Sequence, residues 1–178
     1  MKHLAVVSVL ALVFLASLLF YSSRREAAAM EKMTLTSTAF AHNQTIPSRF
    51  TCDGANVSPP LALGHVPAPA KSLVLIVDDP DAPSGDWVHW VLYNIDPTTT
   101  AIDEGGVPHG AVGGTNDFMK TSFGGPCPPS GTHRYFFKLY ALDEKLPLGG
   151  GARKQEVVAA MKGHIIATAE LVGLYRRR

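Results

Sequence analysis

Apolar positions fall into one long N-terminal block followed by short runs separated by turns. The block runs from Leu4 to Tyr21, 18 residues interrupted only by Ser8 and Ser17. Beyond it, Ser72–Val77 is a continuous apolar stretch that stops at Asp78-Asp79-Pro80. It predicts a buried strand ending in a turn, because proline donates no ladder hydrogen bond and restricts the residue before it. Trp87–Ile95, His133–Leu142 and His164–Tyr175 are rich in aromatic and β-branched residues and predict three further strands. Weaker segments at Met33–Thr38 and Thr45–Phe50 predict an outer pair. Ala152–Lys162 alone has a helical pattern, with Val157, Val158 and Met161 on one side and Gly163 as the stop. No longer period recurs, so a repeat array is excluded. The expected fold is mainly β, a sandwich of antiparallel strands with one or two short helices.

The N-terminal block divides the chain into a hydrophobic signal or anchor segment, residues 1–30, and a globular body, residues 31–178. Its length lies at the border between a signal-peptide core and a membrane span, which needs about 17–25 apolar residues. Ala27-Ala28-Ala29 offers small residues for cleavage before Met30, whereas Arg24-Arg25-Glu26 puts charge ahead of that site. Cleavage gives a secreted or periplasmic body and retention a membrane-anchored one; both export it. The block has no nearby cysteine, which excludes a lipoprotein anchor. Beyond Ala29 the chain carries 13 basic and 14 acidic residues. That balance excludes a nucleic-acid binder working through bulk charge. A hydrophobic fraction of 46% excludes a disordered chain. In an exported body, Cys52 and Cys127 are either a disulfide or two buried thiols. Asn43-Gln44-Thr45 is a glycosylation sequon.

Polar chemistry gathers in two places. Asp78, Asp79, Asp81 and Asp86 crowd the turn before Trp87-Val88-His89. Such carboxylates repel one another unless cations or hydrogen-bond donors meet them, and a solvated turn is the simplest arrangement. Strand alternation puts Trp87, His89, Val91 and Tyr93 on one face and Val88, Trp90 and Leu92 on the other. The second place is a stiff Gly-Pro loop, Gly124 to Gly131, leading into Thr132-His133-Arg134-Tyr135. His133 and Tyr135 share a face there. Arg134, opposite, reads as a structural residue, a buried brace holding an Asp carboxylate bidentately. The body contains no nucleophile elbow, phosphate loop, His-Glu-x-x-His or Cys-x-x-Cys. Asp79, His89 and His133 could serve a hydrolase, with or without a metal. A triad of Ser130, His89 and Asp81 has no support in the spacing.

Taken together, DDPDAP, Trp87-Val88-His89 and GGPCPPSGTHRY, in that order, resemble the phosphatidylethanolamine-binding protein or Raf kinase inhibitor-like family, in its prokaryotic branch. Phe50–Leu61, Gly114–Asp117 and the segment from Gly163-His164 to Gly173 also resemble that branch. The resemblance implies a large antiparallel sheet packed on a smaller one. It also implies a surface cavity that holds a small anion or phosphorylated headgroup without catalysis or a cofactor. Carried over residue by residue, the ligand-binding set is Asp79, Trp87, His89, Pro128, Pro129, His133 and Tyr135, with Asp81 as an orienting neighbour. Backbone N–H groups of the Gly loop are expected to add an anion nest. The family further implies a protein target, a protease or a kinase, and a homodimer. Its members bring the segments around Cys52 and Cys127 to the cavity, so a disulfide between them is expected. Against the animal members, the loop between the Pro pair and His133 is short.

The fate of the N-terminal block is open to direct measurement. Retention keeps the protein in the membrane fraction with its first residues intact. Cleavage gives soluble protein whose N-terminal sequence starts at or near Met30.

Overall fold

A computed structural model describes residues 32–177. The N-terminal block and its cleavage or anchoring lie outside the described residues. Among those residues, no helix is long and apolar enough to cross a membrane.

Nine strands and one α-helix make up the described chain: β1 Thr34–Thr36, β2 Gln44–Thr45, β3 Leu61–Gly64, β4 Ser72–Asp79, β5 Trp87–Ile95, β6 Ala101–Ile102, β7 Val112–Gly113, β8 His133–Leu142, α1 Lys154–Met161 and β9 Ile165–Tyr175. They form a six-stranded sheet in the order β2-β9-β8-β4-β5-β7 and a three-stranded sheet in the order β1-β3-β6. Strands β9, β8, β4 and β5 pair antiparallel in sequence. β2 joins the edge in parallel through Gln44 and Thr45 alone. The expected outer strand at Thr45–Phe50 is therefore mostly absent. Pro47 ends it, and Ser48–Phe50 turns into a 3-10 helix that buries Phe50. The sequence pattern did not predict β3, β6 or β7, at two to four residues each.

β4 is buried along its whole length and lies between β5 and β8. Its alternation sorts the interior into two layers. Leu73, Leu75 and Val77 join Trp90, Leu92, Phe137 and Leu139 in the core facing the small sheet. Val74 and Ile76 join Val91, Tyr93, Val157 and Met161 in a second layer beneath α1. The helix buries Val157 and Met161, one turn apart, but leaves Val158 at 44% exposure, which corrects the expectation that all three share a face. Gly163, at φ 88°, supplies the left-handed residue that ends this segment.

Strict alternation also fails along β5. Val77 faces Trp90 while Asp78 faces Val88, so His89 is an extra residue in the ladder. This bulge puts His89 on the same side of the sheet as Trp90. Val88 falls instead in the layer with Val91 and Tyr93.

At the end of β4, Asp78 is fully buried on the helix side. It accepts hydrogen bonds from Lys138 (2.9 Å) on β8 and Lys154 (2.6 Å) on α1. Lys154 also meets Asp86. Burial pulls the Lys154 ammonium down, but its bonds to Asp78 and Asp86 outweigh this and raise its pKa. The network pins the first turn of the helix to the sheet.

Replacing both Lys138 and Lys154 by Met leaves a buried carboxylate without a cation, which costs about 3–5 kcal/mol. Urea unfolding should show that loss, and adding Asp78→Asn to the double variant should recover part of it.

Candidate functional site

The adjacent strands β5, β4 and β8 bring three polar side chains to one end of the large sheet. Asp79 closes β4, Trp87 and His89 open β5, and His133 opens β8. The pairing of Asp79 with Trp87 and the bulge after it turn His89 toward Asp79 and His133. The result is an open cavity of about 310 Å³. Asp79, His89 and His133 form its polar part, and Trp87, Pro128 and Pro129 are among its walls.

Both imidazoles have a fixed orientation. His133 Nδ1 donates to Asp79 Oδ2 at 2.7 Å, while Asp79 Oδ1 accepts the Asp81 N–H at 2.8 Å. His89 Nδ1 lies 2.6 Å from the carbonyl of Gly124, which can only accept, so Nδ1 carries the proton. Each ring thus keeps Nε2 as its second site. Burial lowers the His89 pKa, opposed in part by the Gly124 carbonyl and the charges of Asp79, Asp78 and Asp117. His89 is accordingly neutral at neutral pH, with Nε2 an acceptor.

Two of the expected ligand-binding residues adjoin the cavity without being among its lining residues. Tyr135 is 1% exposed and stands behind His89, ring centroids 5.2 Å apart and nearly perpendicular. Its hydroxyl is buried near Asp79 and the Cys127 backbone. Burial first, and then the Asp79 charge, hold the phenol far above its ordinary pKa. Tyr135 supports the cavity and does not line it. Asp81 is turned out of it by Arg134, whose Nε (2.9 Å) and Nη2 (2.7 Å) both reach the carboxylate. The Arg134 backbone N–H reaches it as well, at 2.9 Å. The brace expected at Arg134 is present but solvent-exposed, because Arg134 is on the outer face of β8, with its side chain 54% accessible. The Gly loop does not offer the expected nest at its start. Gly124 N–H donates to the His89 carbonyl (3.0 Å) and Gly125 N–H to Asn56 Oδ1 (2.8 Å).

The cavity also has walls that the sequence reading missed: Ala82, Pro83, Ser84, Cys127 and Phe118. The first four adjoin named residues within the two motifs, so continuity along the chain was a usable signal. Phe118 had none, lying in a loop with no periodicity. Cys127 is bonded to Cys52, with Cα atoms 5.4 Å apart. Beside the bond, the Cys52 N–H donates to the Pro126 carbonyl at 3.0 Å. Among the described residues, no group of three or more His, Cys, Asp or Glu is arranged to hold a metal ion.

A β-sandwich with such an Asp-, His- and Pro-lined cavity at one end of its larger sheet defines a class of small β domains built around a surface pocket. The chain belongs to the phosphatidylethanolamine-binding protein family, whose sequence profile matches residues 36–176. The UPF0098 protein of Methanothermobacter thermautotrophicus is 55% identical over 150 residues, 82% of this chain and 99% of that protein. A solved phosphatidylethanolamine-binding protein homolog of Chlamydia trachomatis is 45% identical with a TM-score of 0.80, covering 83% of this chain and 99% of that one. The solved Escherichia coli YbcL is 34% identical with a TM-score of 0.77, covering 83% of this chain and 100% of its own. The prokaryotic character and the two-sheet fold expected from the motifs both hold.

The bond to Arg134, ahead of the opposing effect of burial, lowers the Asp81 pKa to about 2. A carboxylate depressed on folding adds stability that is complete above its unfolded value, ~3.9, and lost as pH falls through the folded value. Carboxyl NMR titration should place Asp81 near 2 in the wild type and return it toward ~3.9 in Arg134→Ala. The stability difference between the two proteins should vanish at the acid end.

Proposed function

We propose that the domain is an exported, non-enzymatic binding protein that holds a small anion or phosphorylated headgroup in the cavity. The observation that carries this reading is the convergence of His89 and His133 on one cavity, each with Nδ1 already bonded and Nε2 left for a ligand. Trp87, Pro128 and Pro129 restrict water there, which strengthens any hydrogen bond to a bound oxygen. No Lys or Arg lines the cavity, and Asp79 is 3% exposed within it. A fully ionised ligand is therefore accepted only with a proton, on the ligand or on an imidazole. This proton requirement resolves the sign problem that a buried carboxylate poses for an anion site.

Membership of this family favours binding over hydrolysis. Action on a protein partner belongs to the same proposal. An exported domain meets no cytosolic kinase, which favours a protease as the target, with the N-terminal segment as the only membrane attachment.

Because His89 is neutral when the site is empty, anion affinity should rise as pH falls below ~6.5 and His89 becomes able to donate. Sulfate, which does not titrate in this range, separates protonation of the protein from that of phosphate. His89→Ala and His133→Ala should each weaken binding roughly ten- to hundredfold, the worth of a hydrogen bond to a charged group. Arg134→Ala should leave affinity unchanged. Calorimetric titration of phosphate and sulfate, with thermal melts of the same variants, tests this; wild-type affinity in both His variants would mean the ligand lies elsewhere.

A further inference from the structure

Phe118 belongs to no strand, yet its loop is held by a set of hydrogen bonds around Asn116 and Asp117. Asn116, 1% exposed, donates through Nδ2 to the carbonyls of His89 (2.9 Å) and Ser122 (2.8 Å). Its Oδ1 accepts the N–H groups of Phe118 (3.1 Å) and Lys120 (3.0 Å). Asp117 is bonded to Val88 twice, side chain to N–H at 2.7 Å and N–H to carbonyl at 3.0 Å. Met119 follows at φ 60°, a conformation unfavourable for its side chain that these bonds hold in place. The loop is thus fixed to β5 by Asn116 and Asp117 ahead of Phe118, and Asn116 also holds Lys120 and Ser122 after it.

The Phe118 ring stands at the cavity, edge-on to His89 (centroids 5.4 Å, 67°) and to Trp87 (5.5 Å, 79°). It lies over Gly124, the residue whose carbonyl orients His89. A Cβ at Gly124 would sit 2.4 and 2.5 Å from two ring carbons, so only glycine lets the ring settle there. Phe118 thus forms the wall beside His89 and Trp87 at the opening of the cavity, while Tyr135 backs the imidazole from inside the fold.

We propose that Phe118 sets the width of this opening and restricts the site to phosphate groups with slim substituents. Inorganic phosphate and primary alkyl monoesters reach His89; aryl monoesters do not. The inference rests on the phosphate-binding reading above. Because the loop is held by Asn116 and Asp117 and not by the ring, truncating Phe118 opens the cavity without collapsing its wall.

Calorimetric titration of inorganic phosphate, methyl phosphate and phenyl phosphate provides the test. In the wild type, phenyl phosphate should bind about tenfold or more weakly than methyl phosphate, the scale of steric selection in a shaped pocket. Phe118→Ala should remove that gap, while Phe118→Tyr should keep it. Gly124→Ala, which displaces the ring without deleting it, should narrow the gap as well. The ratio of two affinities is insensitive to a general loss of stability. A wild type that binds phenyl and methyl phosphate equally overturns this proposal alone. So does a Phe118→Ala protein that binds phenyl phosphate more weakly than the wild type, because the ring would then attract the substituent. A wild type that binds none of the three probes overturns the phosphate reading and this proposal with it.

Discussion

Two consecutive carboxylates, Asp78 and Asp79, end a strand that is buried on both faces. A charge held away from water must be paired, and adjacent residues on a strand point to opposite sides of the sheet. The fold therefore has to provide partners on both sides at once. Asp78 receives Lys138 and Lys154, which commits the helix to one face. Asp79 receives His133 and the Asp81 backbone, which commits the β8 entrance and the Asp-rich turn to the other. Helix docking and cavity formation are two answers to one electrostatic demand.

The same demand explains what the sequence revealed and what it concealed. The long strands were legible because their composition is unambiguous, and the two polar motifs were legible because each is continuous in sequence. Facing was not, because alternation assumes an unbroken ladder. The bulge at His89 reverses the partners of Val88 and Trp90, and no residue type in Trp87-Val88-His89 announces it. Strands of two residues, such as β6 and β7, carry no period at all. Arg134 was matched to the Asp-rich turn on charge, yet its exposure depended on which face of β8 meets solvent. Phe118 enters the cavity only through the three-dimensional path of a loop pinned by Asn116.

The cavity is built from groups already engaged elsewhere. Each imidazole has one nitrogen bonded within the protein, the Gly124 and Gly125 N–H groups have partners, and the Tyr135 hydroxyl is enclosed. Little rearrangement is left for a ligand to induce at the polar floor. Hydrophobic walls and a neutral His89 make this site poorly matched to free ions in water.

The disulfide between Cys52 and Cys127 joins residues 75 positions apart. The covalent ring it closes contains β3 through β7, with strands from both sheets, while β8 and β9 lie outside. A protease nick anywhere inside the ring leaves a single covalent molecule with its two fragments still joined. Under mechanical load on the chain ends, only the segments flanking the ring can be drawn out; the ring itself bears tension through sulfur and cannot lengthen the chain. With the bond intact, the central pair β4 and β5 is thus shielded from end-to-end pulling, and its loss requires internal melting.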